Sequence, residues 1–301
     1  MKIAVFGSSG FIGDNLVKSL QQNFKIQEVS LRNSLWRNEL NEEIEIFINL
    51  VGKAHDHEGV ATEKDYYYAN VELAQQVFEV FKKSKAKLFI HISSLAALEE
   101  FESDKPLDET NNCNPISFYG KSKREAEEWL LKQNLPNDKK LVIIRPPMVH
   151  GPGDKGNLGL LYKIISKGIP YPLASFNNER SFVSIDNFNF FIQQIIQKSN
   201  KLENGIYHIA DDEPIATNDI IEVIKKVENL KIPNINLPKF LIKGLAKLGD
   251  ILPFPLNTKK LKKLTNNLLV SNQKIKTALE IDKLPLTAEE GLTKTIKSFK
   301  K

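Results

Sequence analysis

The sequence predicts an α/β fold: a doubly wound parallel sheet followed by a smaller, mostly helical C-terminal lobe. Three observations carry this. Apolar strand-like runs alternate with helix-length segments through the first two-thirds, a glycine-rich turn directly follows the first run, and the texture changes after Pro147. "KIAVF" at the N-terminus reads as a buried strand, with a helix from about Phe11 to Gln22 behind it. "KIQEVSL" is a second strand, and "IEIFINLVG" a third, continuously apolar as strands buried on both faces are. In "ANVELAQQVFEVFKKS", Ala74, Val77, Phe78 and Phe81 form a helical stripe that stops in Lys and Ser. "KLFIHISS" is a strand, "SKREAEEWLLKQ" a helix with a charged, solvated face over Arg124 to Glu128, and "KLVIIRP" a further strand. Gly and Pro then cluster in "HGPGDKGN", and Pro233, Pro238, Pro253 and Pro255 punctuate short pieces such as "KFLIKGLAKLGDIL". Residues 1–155 therefore form the first domain, with 182–212, which holds "GIYHIA" and most of "RSFVSIDNFNFFI", returning to it; 156–181 and 213–301 form the second lobe.

Bulk properties exclude several classes. A chain of 301 residues can bury a large core, and 41% hydrophobic with 26% charged residues is ordinary globular composition. The net charge of +5 is spread along the chain, without the concentrated basic stripe or module that nucleic-acid binding requires. One cysteine, Cys113, leaves no internal disulfide and no cysteine-based metal cluster, and no metal site is expected. "MKIAVF" is too short for a signal-peptide core, and no apolar run reaches the ~18 residues of a membrane span, so a cytoplasmic protein without membrane insertion is expected. No internal repeat is present.

Chemistry begins at "VFGSSGFIGDNL". Gly7, Gly10 and Gly13 follow a strand and open a helix, so the backbone can turn tightly and present the helix N-terminus to a pyrophosphate. This reads as a dinucleotide site; the plainer alternative is a strand-to-helix turn. At the end of the second strand no acidic residue stands ready for an adenosine ribose. Arg32 instead offers a fork for a 2′-phosphate, which favours NADPH, with NAD possible and a solvated loop Arg as the plain reading. Ser93 and Ser94 end a strand at the sheet edge where such folds place their sites; Ser94 is the one favoured to offer a hydroxyl, although serines also cap helices. Tyr119 and Lys123 lie one helical turn apart, so they share a face.

Gly7-x-x-Gly10-x-x-Gly13, Ser94 and Tyr119-x-x-x-Lys123, in this order, resemble the extended short-chain dehydrogenase/reductase superfamily, whose nucleotide-binding domain is Rossmann-like. "RPPMVHGPG" and "RSFVSIDN" resemble its NAD-dependent epimerase/dehydratase branch acting on nucleotide sugars, and the likeness runs to "EEGLTKTI" near the C-terminus. The resemblance implies that Tyr119 is the general acid/base, that Lys123 holds the nicotinamide ribose and favours phenolate, and that Ser94 binds the same substrate oxygen as Tyr119. An isolated phenol, near ~10, needs that help at neutral pH. It also places Gly7, Gly10, Phe11, Ile12, Gly13, Arg32, Asn70 and Pro146 (with Pro147) at the cofactor, and Asn157 and Arg180 at the diphosphate of a nucleotide-linked sugar. Asn70 reads equally as a helix N-cap; the diphosphate reading of Arg180 is preferred to that of a surface residue, and His55 reads as loop rather than substrate contact.

The same resemblance separates the reactions. Sugar 4,6-dehydratases carry Asp-Glu after the active-site hydroxyl residue, where this chain has Leu95 and Ala96. Enzymes that epimerise beside a ketone use a further acid/base, often a Cys at the position of Ala96, whereas Cys113 lies elsewhere. Two reactions need only Ser94, Tyr119, Lys123 and a cofactor: reduction of a 4-keto, UDP-linked, 6-deoxy N-acetylated sugar for bacterial surface polysaccharide, and 4-epimerisation with tightly held NAD. Arg32 tips the sequence toward the reductase. A non-catalytic NAD(P)-binding sensor is a third reading, opposed by the intact triad. Helices 69–84 and 122–134 match the pair through which many relatives form homodimers.

Overall fold

The computed structural model describes residues 1–54, 60–154, 156–252 and 257–300; His55, Pro253 and Pro255 lie outside them. The N-terminal half runs β1 (Lys2–Phe6), α1 (Phe11–Leu20), β2 (Lys25–Val29), α2 (Trp36–Glu39), β3 (Ile46–Asn49) and α3 (Glu63–Tyr67). A π-helical turn, Tyr68–Glu72, leads into α4 (Leu73–Lys83), then β4 (Leu88–Ile92), a 3₁₀ turn (Leu95–Ala97), α5 (Phe118–Leu131) and β5 (Lys140–Arg145). Beyond it lie β6 (Met148–His150), α6 (Asn157–Ile165), β7 (Phe182–Ser184), α7 (Ile185–Gln197) and β8 (Gly205–His208). The remaining helices are α8 (Thr217–Glu228), α9 (Lys239–Leu248), α10 (Thr258–Thr265), α11 (Gln273–Leu279) and α12 (Ala288–Phe299).

Six parallel strands form one sheet in the order β2-β1-β3-β4-β5-β8. Period-two alternation sorts their side chains into two buried layers. Ile3, Val5, Ile46, Ile48, Ile90 and Ile92 face Leu16 and Leu20 of α1 and Phe188, Phe191 and Ile195 of α7. Ala4, Phe6, Phe47 and Phe89 face Val77, Phe78 and Phe81 of α4 and Leu130 of α5. The apolar stripe of α4 is thus consumed by the chain's own core, and a homodimer through α4 and α5 would have to use their outer faces. β2, at the edge, is more open, with Lys25 and Glu28 exposed and only Val29 buried. From β1 the chain leaves toward β2 on one side and β3 on the other, which opens a crevice at the strands' carboxyl ends.

The return to the sheet differs from the sequence reading. β8 pairs with β5, but β7 pairs with β6 in a separate two-stranded ladder. Pro146 and Pro147 withhold two N–H donors at the end of β5, so the main ladder stops there and a new one starts at Met148. β7 bridges two cores, Phe182 packing with Ile220, Ile224, Ile242 and Leu292 and Val183 with the main sheet layer. Ile275 and Leu279 of α11 also join the main layer, so residues 213–301 are not wholly a separate lobe.

Three histidines on the strands, His91, His150 and His208, are buried. Burial pulls all of them below the ordinary value, His150 to about 4 and, with Arg145 adding to the effect, His208 to about 3. A group neutral in the fold but proton-binding when unfolded costs stability as pH falls from 6.5 toward the folded value. Asp211, pushed up to about 6 by burial, acts oppositely and loses stability as pH rises from 3.8. Three against one gives a net acid loss: the melting temperature should drop between about pH 6.5 and 4.5. His208→Leu should flatten that slope, and an unchanged slope would remove His208 from the account.

Candidate active site

The crevice is built from three backbone events. After β1, Gly7 adopts φ 84° and Gly10 caps α1 with no side-chain acceptor. A Cβ on Gly13 would run into the Gly7 carbonyl oxygen and come within 2.7 Å of Ser8 Cα, so only glycine lets α1 sit on the turn. The first amides of α1, those of Phe11 and Ile12, are left without a capping side chain, an arrangement that receives an anion.

The second event is the π-helical turn. Asn70 lies within it, fully buried, and is not an N-cap; Thr62 caps the preceding helix through a capping box with Asp65. Asn70 Oδ1 accepts from the Lys53 amide (2.8 Å), while Nδ2 donates to the Lys53 carbonyl (3.2 Å) and Ser122 Oγ (2.8 Å). The extra residue of the π turn thereby pins the loop after β3 to α5, and such turns recur at functional sites. Gly52 in that loop approaches so closely that a Cβ would lie 3.0 Å from Lys123 Nζ.

The third event seats α5. Ser117 caps it, accepting from the Gly120 amide at 3.0 Å, and Glu100 Oε1 accepts from the amides of Ile116 (3.0 Å) and Ser117 (2.7 Å). Gly120 packs directly on the Ala96 carbonyl, where any Cβ would collide. The first turn of α5 is therefore pressed against the 3₁₀ turn that follows Ser94. Alternation along the chain divides the two serines. Ser93 points inward and donates to Glu127 Oε1 (2.5 Å), whereas Ser94 hydrogen-bonds the Tyr119 phenol. The Pro146 carbonyl accepts from the Leu95 amide (2.8 Å) and fixes the turn from the other side. Leu95 is buried among Leu98, Leu268 and Val270, so nothing at this position can exchange a proton.

Burial pushes the Tyr119 phenol above its usual 10.0; the Ser94 hydrogen bond opposes this, and Glu100 and Tyr66 add to it. Lys123, 4% exposed, donates to the Ile92 carbonyl at 2.9 Å, and burial brings it down to about 8 while Glu127 holds it up. At neutral pH the ligand-free site therefore holds a protonated phenol beside a still-charged ammonium.

One turn beyond Lys123 the sequence reading fails. Glu127, read as part of a solvated face, is fully buried and makes a two-pronged pair with Arg145, at 2.8 Å to Nε and 2.6 Å to Nη2. Tyr119, Lys123 and Glu127 are spaced four apart, so burial of the first two carries the third inward. Cys113 accepts from the same guanidinium at 3.4 Å and so stands apart from Ser94 and Tyr119.

At the far wall, Arg180 lies on a backbone bridge to Ile215, and its Nη1 donates to the carbonyls of Asn266 (3.2 Å) and Phe101 (3.5 Å). Burial lowers it to about 10, and no described carboxylate forms an ion pair with it. Lys259 and Lys263 of α10 stand over the Phe101 ring at 5.8 and 5.3 Å. Sequence reasoning missed both, because a Lys in "KKLKKL" looks like any solvated helix residue. A cationic wall next to Glu100 suits a diphosphate. Asn157 opens α6 behind a Gly156 cap, its side chain lying outside what is described, and Arg32 is exposed in the turn after β2. Among the described residues no cluster of His, Cys, Asp or Glu is arranged for a metal.

Comparison with known proteins agrees with this geometry. The model of the NAD dependent epimerase/dehydratase family matches residues 3–210. The UDP-glucose 4-epimerase of Vibrio cholerae is 28% identical, covering 99% of this chain and 95% of its own. The N-acetyl-alpha-D-glucosaminyl-diphospho-ditrans,octacis-undecaprenol 4-epimerase of Escherichia coli O157:H7 is 27% identical, over 78% of this chain and 75% of its own. In three dimensions, UDP-glucuronic acid 4-epimerase from Bacillus cereus, solved with NAD, superposes with a TM-score of 0.78 at 19% identity, covering 100% and 99% of the two chains.

Proposed function

This chain belongs to the NAD dependent epimerase/dehydratase family, and on that premise we propose that it is a nucleotide-sugar 4-epimerase working with tightly held NAD. The observation that carries the choice is the near whole-length likeness to a UDP-glucose 4-epimerase. The reductase favoured by Arg32 has no such support: none of the three relatives above is named a reductase, and an exposed Arg in a turn is equally a solvated one. For the same reason NAD replaces NADPH as the preferred cofactor.

The residues fit a dinucleotide. The uncapped start of α1 suits its diphosphate, and Gly52 leaves a side-chain-free edge beside Asn70 and Lys123. When bound, NAD would supply the hydride acceptor and donor. Tyr119 takes the proton of the sugar C4 hydroxyl as C4 is oxidised and returns it to that oxygen as C4 is reduced from the opposite face. Ser94 holds the oxygen through both halves. Lys123 supports the phenolate, remaining charged at neutral pH although burial lowers it to about 8. Arg180 and Lys263 hold the diphosphate, which lets the 4-keto sugar turn over between the two halves without leaving. The cycle consumes neither proton nor cofactor. The Escherichia coli relative's name extends the substrate class to a sugar on a polyprenyl diphosphate, whose diphosphate the same wall would receive.

The purified protein, given UDP-glucose or UDP-N-acetylglucosamine and no added nicotinamide, should form the C4 epimer with no change in cofactor absorbance. A failure with both, alongside one-to-one NADPH oxidation by a 4-keto-6-deoxy UDP-sugar, would return the assignment to the reductase.

A further inference from the structure

We propose that α9 and the turn after it form a docking face that holds the protein on the surface of an anionic lipid bilayer. The inference is independent of the epimerase reading and rests on how this helix meets water. Its inner side is ordinary: Ile242 and Ala246 are 2% and 1% exposed in the core of the second lobe. Its outer side is inverted. Phe240 (72% exposed), Leu241 (48%) and Leu248 (54%) project away from the buried pair, Leu245 (44%) lies on one flank, and Ile251 (84%) and Leu252 (55%) are exposed in the turn that follows. A surface helix ordinarily turns charged residues outward, and a contiguous exposed apolar patch marks an interaction site.

The charges identify the occupant. Lys239, Lys243 and Lys247 line the flank between the buried and the apolar faces, and α9 contains no acidic residue. α10, packed beside it, is also lysine-rich, with Lys262 paired to Glu102 at 3.6 Å and Lys259 and Lys263 turned to Phe101. The acid between the two helices, Asp250, is engaged with the amide of Thr258 at 2.9 Å and with its hydroxyl. An apolar stripe bordered by lysines matches a helix that lies in a bilayer interface, its apolar side chains below the headgroups and its ammonium groups at anionic ones. A second copy fits less well, because self-pairing would bring lysine against lysine. Spanning is excluded for the described residues, where no helix is long and apolar enough to cross a membrane. The same α10 carries Lys259 and Lys263 to Phe101 beside Arg180. The docking face therefore packs against the helix that completes the cationic wall.

The test uses the full chain and sedimentation with vesicles of phosphatidylcholine alone or mixed with phosphatidylglycerol. Binding should appear with the anionic vesicles and weaken with added salt. Phe240→Ser/Leu248→Ser/Ile251→Ser should lower it at least about tenfold, and Lys239→Gln/Lys243→Gln/Lys247→Gln should lower it on anionic vesicles only. Both variants change exposed side chains, so melting temperature and turnover of a water-soluble UDP-sugar should be unchanged. Wild-type protein that ignores the vesicles, or binding indifferent to the serine variant, would overturn the proposal. So would a dimer that dissociates in the serine variant, which would assign the face to a second copy.

Discussion

Tyr119→Phe should lower turnover by about a hundred- to ten-thousandfold, the usual worth of a positioned general acid/base, while cofactor still co-purifies with the protein. The phenylalanine keeps the ring and removes only the hydroxyl. Stability should fall by no more than about 1 kcal/mol, the net value of the lost Ser94 hydrogen bond. The contrast between a large kinetic and a small structural effect is what separates a reacting group from a packing one. The variant also probes why the phenol is raised in the ligand-free site. Burial, Glu100 and Tyr66 all favour the protonated form, so base strength has to come from charge brought in with the ligands and from Lys123. Turnover reduced less than about tenfold would mean that another group carries the proton, and the assignment of Tyr119 would fall.

The strands were legible because a strand buried on both faces has only one way to look: "IAVF" and "IFI" are apolar without interruption, and the structure buries them so. Tyr119 and Lys123 were legible for a similar reason, since a spacing of four places two residues on one helix face whatever surrounds them. The two serines part in the structure, which turns Ser93 to Glu127 and Ser94 to Tyr119. The local pieces failed where a side chain's partner lies far along the chain. Asn70 was an ambiguous cap in sequence; its role depends on Lys53 and Ser122, 17 and 52 residues away, and on a π turn that no periodicity announces. Glu100 carried no sequence signal at all, yet it holds the entry to α5 from 16 and 17 residues upstream.

The choice of reaction was illegible for a different reason. Reduction and epimerisation at C4 need the same hydroxyl, phenol and ammonium, and they differ in whether the cofactor leaves between turnovers. No residue spacing encodes retention, so a single exposed Arg32 could tilt the reading, and whole-length likeness to 4-epimerases tilts it back.

Glu127 was the instructive miss, and its pairing with Arg145 carries the second large effect. The carboxylate and guanidinium are 0% and 1% exposed and lie within 2.6 Å of each other between α5 and β5. Removing one member leaves a charge in the core, so Arg145→Met should cost about 3–5 kcal/mol of folding free energy by urea denaturation. Ser93 still donates to Glu127, and Arg124 lies 3.6 Å from its other oxygen, but that longer, partly exposed ion pair replaces the two-pronged Arg145 contact only in part. Removing both charges together, as Glu127→Leu/Arg145→Met, should recover much of that loss, because two desolvation costs vanish along with the attraction. Turnover need not recover with stability. Glu127 is the group that holds the Lys123 ammonium up against burial, and without it Lys123 should deprotonate at lower pH and abandon the phenolate. The double variant should therefore be nearly as stable as the parent but slower at neutral pH. A single variant losing less than about 1 kcal/mol would show the pair to be hydrated and dispensable. A stable double variant with full turnover would show that Lys123 needs no carboxylate behind it.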